Sequence, residues 1–310
     1  MTRRRISATL CALVFLSAVA VGSAAPSKAN RIGISVNSIS ATTQREMYYS
    51  TIKYAEAAGY QVVGLDSKGE VSKMFADMEN LVAQRVDAIV NIGGNLTAMV
   101  PVIQRAARAG IPVISVDAGV VDGVAAHVTS NDWEMGGKMT GLFMDAINGK
   151  GKVFHFHNPD HFGTRSRGNV FRAALPEYPD VIVAGEHRIR WPNTIPDSRQ
   201  AMENMLKAHP DVKGVYCCFD LVAVGVAQAI QAAGRKDIVV VGCDGDPLAL
   251  ECIKAGGPII ATVYRDTDDV GRLAVDVAVR LIKGEKLARK TFFSATTLVT
   301  QDNVDKFIAK

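Results

Sequence analysis

From Arg31 onward the chain repeats one rhythm, in which a short β-branched run is followed by a longer stretch with apolar residues three and four positions apart. The runs "RIGISV" (31–36), "YQVVGLD" (60–66), "DAIVNIG" (87–93), "IPVISVD" (111–117) and "VAAHVTS" (124–130) are predicted strands. Between them, "REMYYSTIKYAEAAG", "KMFADMENLVAQR" and "AMVPVIQRAARAG" are predicted amphipathic helices, and Gly59, Gly93 and Gly110 punctuate the joints. Strands with little polar alternation are buried on both faces, so the pattern predicts a parallel sheet covered by helices. A second set then begins with "GKVFHFH" (151–157), "DVIVAGEH" (180–187), "VKGVYCCFD" (212–220), "DIVVVGCD" (237–244) and "GPIIATVYR" (257–265). The expected fold is therefore α/β, with two Rossmann-like open parallel-sheet lobes and a break near residues 130–132. The tail does not extend this series: the amphipathic "DVGRLAVDVAVRLIKGE" and the extended "TFFSATTLVT" must pack on lobes already built.

Composition adds limits. With 310 residues, 48% apolar and 21% charged, the chain is long enough for two domains of ordinary size. The N-terminus has three consecutive arginines, an apolar run from Ala8 to Val21 and a small-residue exit at Gly22 to Ala25. These are the parts of a secretory signal peptide over residues 1–24, and the apolar run is too short for a membrane anchor. The mature protein is expected in the periplasm. The net charge of +4 includes those three arginines, so the processed chain is close to neutral and has no basic run suited to nucleic acid. Cys217, Cys218, Cys243 and Cys252 remain, with no histidine at ligand spacing nearby. They read as small buried hydrophobes, and a disulfide between two of them stays open.

In open parallel sheets, ligands bind beyond the carboxyl ends of the strands, where loops and helix N-termini converge. Those ends carry Asn37, Asp66, Asn91, Asp117, Ser130, Asn131, the stretch from His157 to Arg167, Asp220, Asp244 and Arg265. Asp66, in "LDSKGE", reads as a turn residue. For Asp117 and Asp244, capping of the following turn or helix is the plain alternative to ligand binding. His155 and His157 alternate along one strand with His161 nearby, an arrangement that fits a hydrogen-bonding wall better than a metal site. Neither a dinucleotide-binding glycine fingerprint nor a G-x-S-x-G elbow is present, so an enzyme is not expected and no cofactor is implied.

"GYQVVGLDS", "AGIPVISVDAG", "HVTSNDWEMGGKMTG", "RSRGNVFRAAL", "AHPDVKGVYCCFDLVAVGV" and "IVVVGCDGDP", in that order, resemble the type I periplasmic sugar-binding proteins of ABC importers, in the ribose-binding branch. The resemblance covers about residues 31–305. It implies two lobes crossed three times by the chain, with residues 31–130 and 266–292 in the first and 131–265 and 293–310 in the second. It also implies a monomer that closes on one small neutral sugar or polyol and presents it to an ABC permease and ATPase complex, or to a chemoreceptor. A nucleoside or inositol is an alternative ligand.

Position by position, the resemblance puts Asp117 at the sugar-binding aspartate after the fourth strand, Arg167 at the hydroxyl-binding arginine and Asp244 at the second-lobe aspartate. A carboxylate accepts from two adjacent hydroxyls while a guanidinium donates through a fork, so a vicinal diol suits the set. Other positions depart from the ribose pattern. Ala118 stands where ribose binders have arginine, Thr43 and Gln44 where the first loop has paired aromatics, Phe219 where asparagine is expected and Arg265 where glutamine is expected. Ribose itself is therefore disfavoured against another pentose, a furanose or a sugar alcohol. Stacking lost from the first lobe is expected from Phe219, Trp191 or Phe162, and Asn37, Ser130 and Asn158 complete the expected site.

Overall fold

A computed structural model of the protein describes residues 30–191 and 193–308, so the predicted signal peptide lies outside the described residues. The first lobe begins β1 (Arg31–Val36), α1 (Thr42–Ala57), β2 (Gln61–Asp66), α2 (Val71–Ala83), β3 (Ala88–Ile92), α3 (Val100–Arg108), β4 (Val113–Val116) and β5 (Ala126–Ser130). The second follows with α4 (Asp132–Ala146), β6 (Gly151–His157), α5 (Phe162–Ala174), β7 (Val181–Arg188), α6 (Thr194–Ala208), β8 (Val212–Cys217), α7 (Asp220–Ala232), β9 (Val239–Val241), α8 (Pro247–Lys254) and β10 (Ile259–Arg265). The tail is α9 (Thr267–Ile282), β11 (Thr291–Ser294), β12 (Thr296–Thr300) and α10 (Asp305–Ile308).

Two six-stranded sheets result, in the orders β11-β5-β4-β3-β1-β2 and β12-β10-β9-β8-β6-β7. Within them β1, β3, β4 and β5 are buried along nearly their whole length, as near-continuous apolar runs require. Apolar clusters fill both faces of each sheet; Ile34, Val90 and Val116 pack under α1 and α9, while Ile89 and Val113 pack under α2 and α3. The second lobe repeats the arrangement, with Phe154 and Val215 on one face and Val153 and Tyr216 on the other.

The tail weaves the lobes together. "TFFSATTLVT" is not one strand: β11 pairs parallel to β5 in the first sheet, and β12 pairs antiparallel to β10 in the second. Because Phe293 pairs with Thr129 and Ser294 with Ser130, the third crossing falls at Ala295, two residues beyond the boundary the resemblance implies. The other crossings are at Asn131 and Asp266, each of which caps the helix that follows. "DIVVVGCD" is a regular strand over only three residues, although the Gly242 and Asp244 nitrogens beyond it still donate to the Ala261 and Val263 carbonyls of β10.

All four cysteines among the described residues are free, and Cys217, Cys218 and Cys243 are buried. His155 lies inside the second lobe against Phe171 and Tyr216, its Nδ1 2.9 Å from Glu186 Oε1, so it faces away from the strand ends. No group of His, Cys, Asp or Glu among the described residues could hold a metal ion, and no helix among them is long and apolar enough to cross a membrane.

The return of α9 to the first lobe depends on Gly271. A Cβ there would stand 2.4 Å from Ser50 Oγ and 2.8 Å from the Thr51 nitrogen on α1. Gly271→Ala is expected to force the two helices apart and lower stability by about 1–3 kcal/mol, read by chemical denaturation.

Candidate ligand-binding site

The carboxyl ends of both sheets face one cavity of about 220 Å³. A cavity of this size has room for a molecule of monosaccharide size. From the first lobe it is lined by Asn37 after β1, Thr43 and Gln44 in the first turn of α1, and Asp117 after β4. The second lobe contributes Asn158, Asp160 and His161 after β6, Arg167 on α5, Trp191 after β7, Phe219 and Asp220 at the start of α7, Asp244 and Asp246 after β9, and Arg265 at the end of β10.

Two of these aspartates sit on unusual backbone. Asp117 has φ +52° and Asp244 φ +121°, a region that L-residues other than glycine adopt rarely and at a cost of roughly 1–3 kcal/mol. The turn at each strand end aims the carboxylate across the cavity mouth. For Asp244 the turn is held by its nitrogen donating to the Val263 carbonyl (3.0 Å) and its carbonyl accepting from the Arg265 nitrogen (3.3 Å).

A buried charge cluster forms the cavity floor. Arg265 Nη1 lies 2.9 Å from Asp117 Oδ1, so a second-lobe guanidinium grips a first-lobe carboxylate. Its Nη2 lies 3.1 Å from Asp132 Oδ1 and its Nε 3.3 Å from Asp244 Oδ1. Arg167 Nε donates to the same Asp132 Oδ1 (3.1 Å), while its Nη1 donates to the Cys218 carbonyl (2.8 Å) and to Asp244 Oδ1 (3.2 Å). Both arginines are about 1% exposed. Burial would raise the Asp117 carboxyl, yet Arg265, His161 and Arg167 outweigh it and hold the group down at about 2. Burial dominates at Asp244, whose looser contacts with Arg167 and Arg265 leave its carboxyl raised.

Asp220 has a different task. Its Oδ2 accepts from the Gly245 and Asp246 nitrogens and from Thr262 Oγ1, each at 2.8 Å, which ties the Asp244 turn to α7. Burial first, and the Asp244 charge second, push its carboxyl up to about 7.

Ten of the eleven nominated residues line the cavity, the exception being Ser130. Its hydroxyl shares a hydrogen bond with Ser294 (3.0 Å), because β5 and β11 lie side by side at the hinge; Ser130 joins two crossings and does not reach the cavity wall. Phe162, an expected stacking partner, leaves the wall as well: it packs edge-on to His127 at 5.8 Å, on the first lobe. One residue earlier, His161 takes the lining position, its Nε2 buried with no hydrogen-bond partner and 3.9 Å from Asp117 Oδ2. Trp191 is 41% exposed at the rim, so it is no core plug. Asp66 keeps its turn role, accepting from the Ile39 and Lys68 nitrogens. Asp132, which the sequence marked only as part of a break between lobes, proves central to the charge cluster.

The raised Asp220 carboxyl has a sign that can be measured. The folded state keeps a proton that the unfolded chain releases above its ordinary value of 3.8, so this group drains stability as pH rises from about 4 to about 7. Asp220→Asn keeps an acceptor for the three donors and has no such proton. Relative to the parent, the variant is expected to gain about 2 kcal/mol between pH 5 and pH 8 in denaturant titrations; an equal stability difference at both pH values would contradict the assignment.

The comparisons agree with this geometry. Residues 32–286 match the family model described as a periplasmic binding protein domain. The ribose import binding protein of Bacillus subtilis is 30% identical over 272 residues, covering 87% of each chain. A xylitol-binding protein of Mycolicibacterium smegmatis is 28% identical over 286 residues, covering 91% of this chain and 80% of its own. Among solved structures, an ABC transporter solute-binding protein from Agrobacterium vitis with bound allitol superposes with a TM-score of 0.85 at 28% identity, covering 89% of this chain and 97% of that one. With its two parallel-sheet lobes, its cleft at the strand ends and a family match over most of its length, the chain belongs to the periplasmic binding protein family.

Proposed function

We propose that this protein captures a small neutral sugar or sugar alcohol between its lobes and delivers it to the membrane permease of an ABC importer. The observation that carries the reading is the placement of Asp117 from one lobe opposite Asp244 from the other across a cavity of monosaccharide size, with Arg265 between them and Arg167 beside Asp244. Each carboxylate uses Oδ1 for the guanidinium groups, which leaves Oδ2 to accept ligand hydroxyls. Among the described residues, Arg167 Nη2 has no protein partner and is free to donate. Trp191 and Phe219 offer apolar faces to sugar C–H groups. The names of the relatives, a ribose import binding protein and a xylitol-binding protein, support the same ligand class.

Closure follows from differential affinity. Contacts from both lobes are complete only when the cleft is shut, so a polyol binds the closed form more tightly and shifts the population toward it. Three crossing segments restrict that motion to a hinge. The signal-peptide-like N-terminus supports export to the periplasm, where such a protein meets its solute.

The experiment is a thermal-shift screen of refolded, ligand-stripped protein against pentoses, hexoses and sugar alcohols, with sugar acids and nucleosides as contrasts. A saturable rise in melting temperature is expected for a neutral polyol, since a molecule that binds the folded state alone must stabilise it. A rise confined to acids or nucleosides would overturn the reading. For the neutral compound that responds, Asp244→Ala is expected to weaken binding by about 2–4 kcal/mol in calorimetry, because it removes a buried charged hydrogen-bond partner.

A further inference from the structure

We infer that Asp132, which does not line the cavity, is a positioning residue that sets the charge selectivity of the site, turning it toward neutral polyols and away from sugar acids. The inference rests on the polyol reading above and deepens it. Asp132 is the first residue of α4, immediately past the first crossing, and its side chain is fully buried. Two glycines clear its place. A Cβ at Gly163 would stand 2.8 Å from Asp132 Oδ1, and one at Gly136 would stand 3.0 Å from the Arg167 Cα, so α4 and α5 approach closely enough for the carboxylate to reach the arginines.

Donor accounting gives the reason. Arg265 brings a guanidinium fork to a position where the ribose pattern has a neutral glutamine, and such a fork is suited to a ligand carboxylate. Here its two terminal nitrogens are already taken, Nη1 on Asp117 and Nη2 on Asp132, while the buried Nε lies 3.3 Å from Asp244 Oδ1 without a hydrogen bond. Asp132 Oδ1 also holds Arg167 Nε, so a single oxygen occupies one donor from each arginine. Charge points the same way. Asp117, Asp132 and Asp244 set three carboxylates against two guanidinium groups, which leaves one negative charge facing an entering anion. Without the Asp132 charge the cluster is balanced and both guanidinium groups are held less tightly; without the side chain altogether, one donor on each arginine is freed.

The test compares matched pairs that differ at one end, CH₂OH against carboxylate: ribitol with D-ribonate and xylitol with D-xylonate. Affinities are measured calorimetrically at pH 7.5 for the parent and for Asp132→Asn, with circular dichroism to verify folding. The parent is expected to prefer the neutral member of each pair by at least 100-fold, and the variant to narrow that preference by tenfold or more, chiefly through a gain in aldonate binding. A merely structural role would weaken both members together, so an unchanged ratio in the folded variant would overturn the inference. Should neither pair bind the parent, the polyol reading is what fails, and a crystal structure of Asp132→Ala, which removes the acceptor itself, then decides the role of Asp132. Guanidinium groups displaced toward the cavity would support it, and Arg167 and Arg265 in unchanged positions would overturn it.

Discussion

Two guanidinium groups and three carboxylates are buried together where the lobes meet, and the rest of the molecule is arranged to make that burial tolerable. Taking an ion out of water costs several kcal/mol even after relaxation, and a buried cluster seldom repays the whole through mutual attraction. The cluster is therefore poor as a source of stability. What it supplies is position. Arg265 grips Asp117 of the first lobe while touching Asp132 and Asp244 of the second, so the relative placement of two sheets is written into a few oxygen and nitrogen atoms. The same atoms settle which hydrogen-bonding capacity is left for a ligand.

The fold provides this arrangement through features that have little to do with one another in sequence. Parallel strands bring their carboxyl ends to one edge, and helices α1, α5, α7 and α8 begin there. Left-handed backbone at Asp117 and Asp244 turns their carboxylates into the cleft, a strain that surrounding hydrogen bonds hold in place. Asp220 braces the second of these turns from behind, and its raised carboxyl reflects burial beside another acid more than any chemistry on a substrate. Three crossings join the two lobes, with Ser130 and Ser294 holding two of them side by side.

Much of this was legible in the sequence, for physical reasons. A nearly unbroken apolar run between helices can hardly be anything but a doubly covered parallel strand, and the residue at its end then lies at the sheet edge; that logic placed Asp117, Asp244 and Arg265 there, and all three line the cavity. The misses have a common cause in contacts distant along the chain. Ser130 stands at a strand end like the others, but its hydroxyl is taken by Ser294, 164 positions away. Asp132 stood out in the sequence only as part of the break between lobes, and nothing local shows that Gly136 and Gly163 let it reach two arginines. At the start of α5 a single residue of phase decides the outcome, with His161 lining the cavity and Phe162 packing against His127 of the other lobe.

A crystal structure of the protein with a neutral sugar or polyol in the cleft tests the central claim most directly. The account predicts ligand hydroxyl oxygens about 3 Å from Asp117 Oδ2 and from Asp244 Oδ2, with Arg265 still engaged by its three aspartates. A ligand held chiefly by a carboxylate on Arg167 and Arg265, or one that leaves either aspartate without a ligand contact, would contradict it.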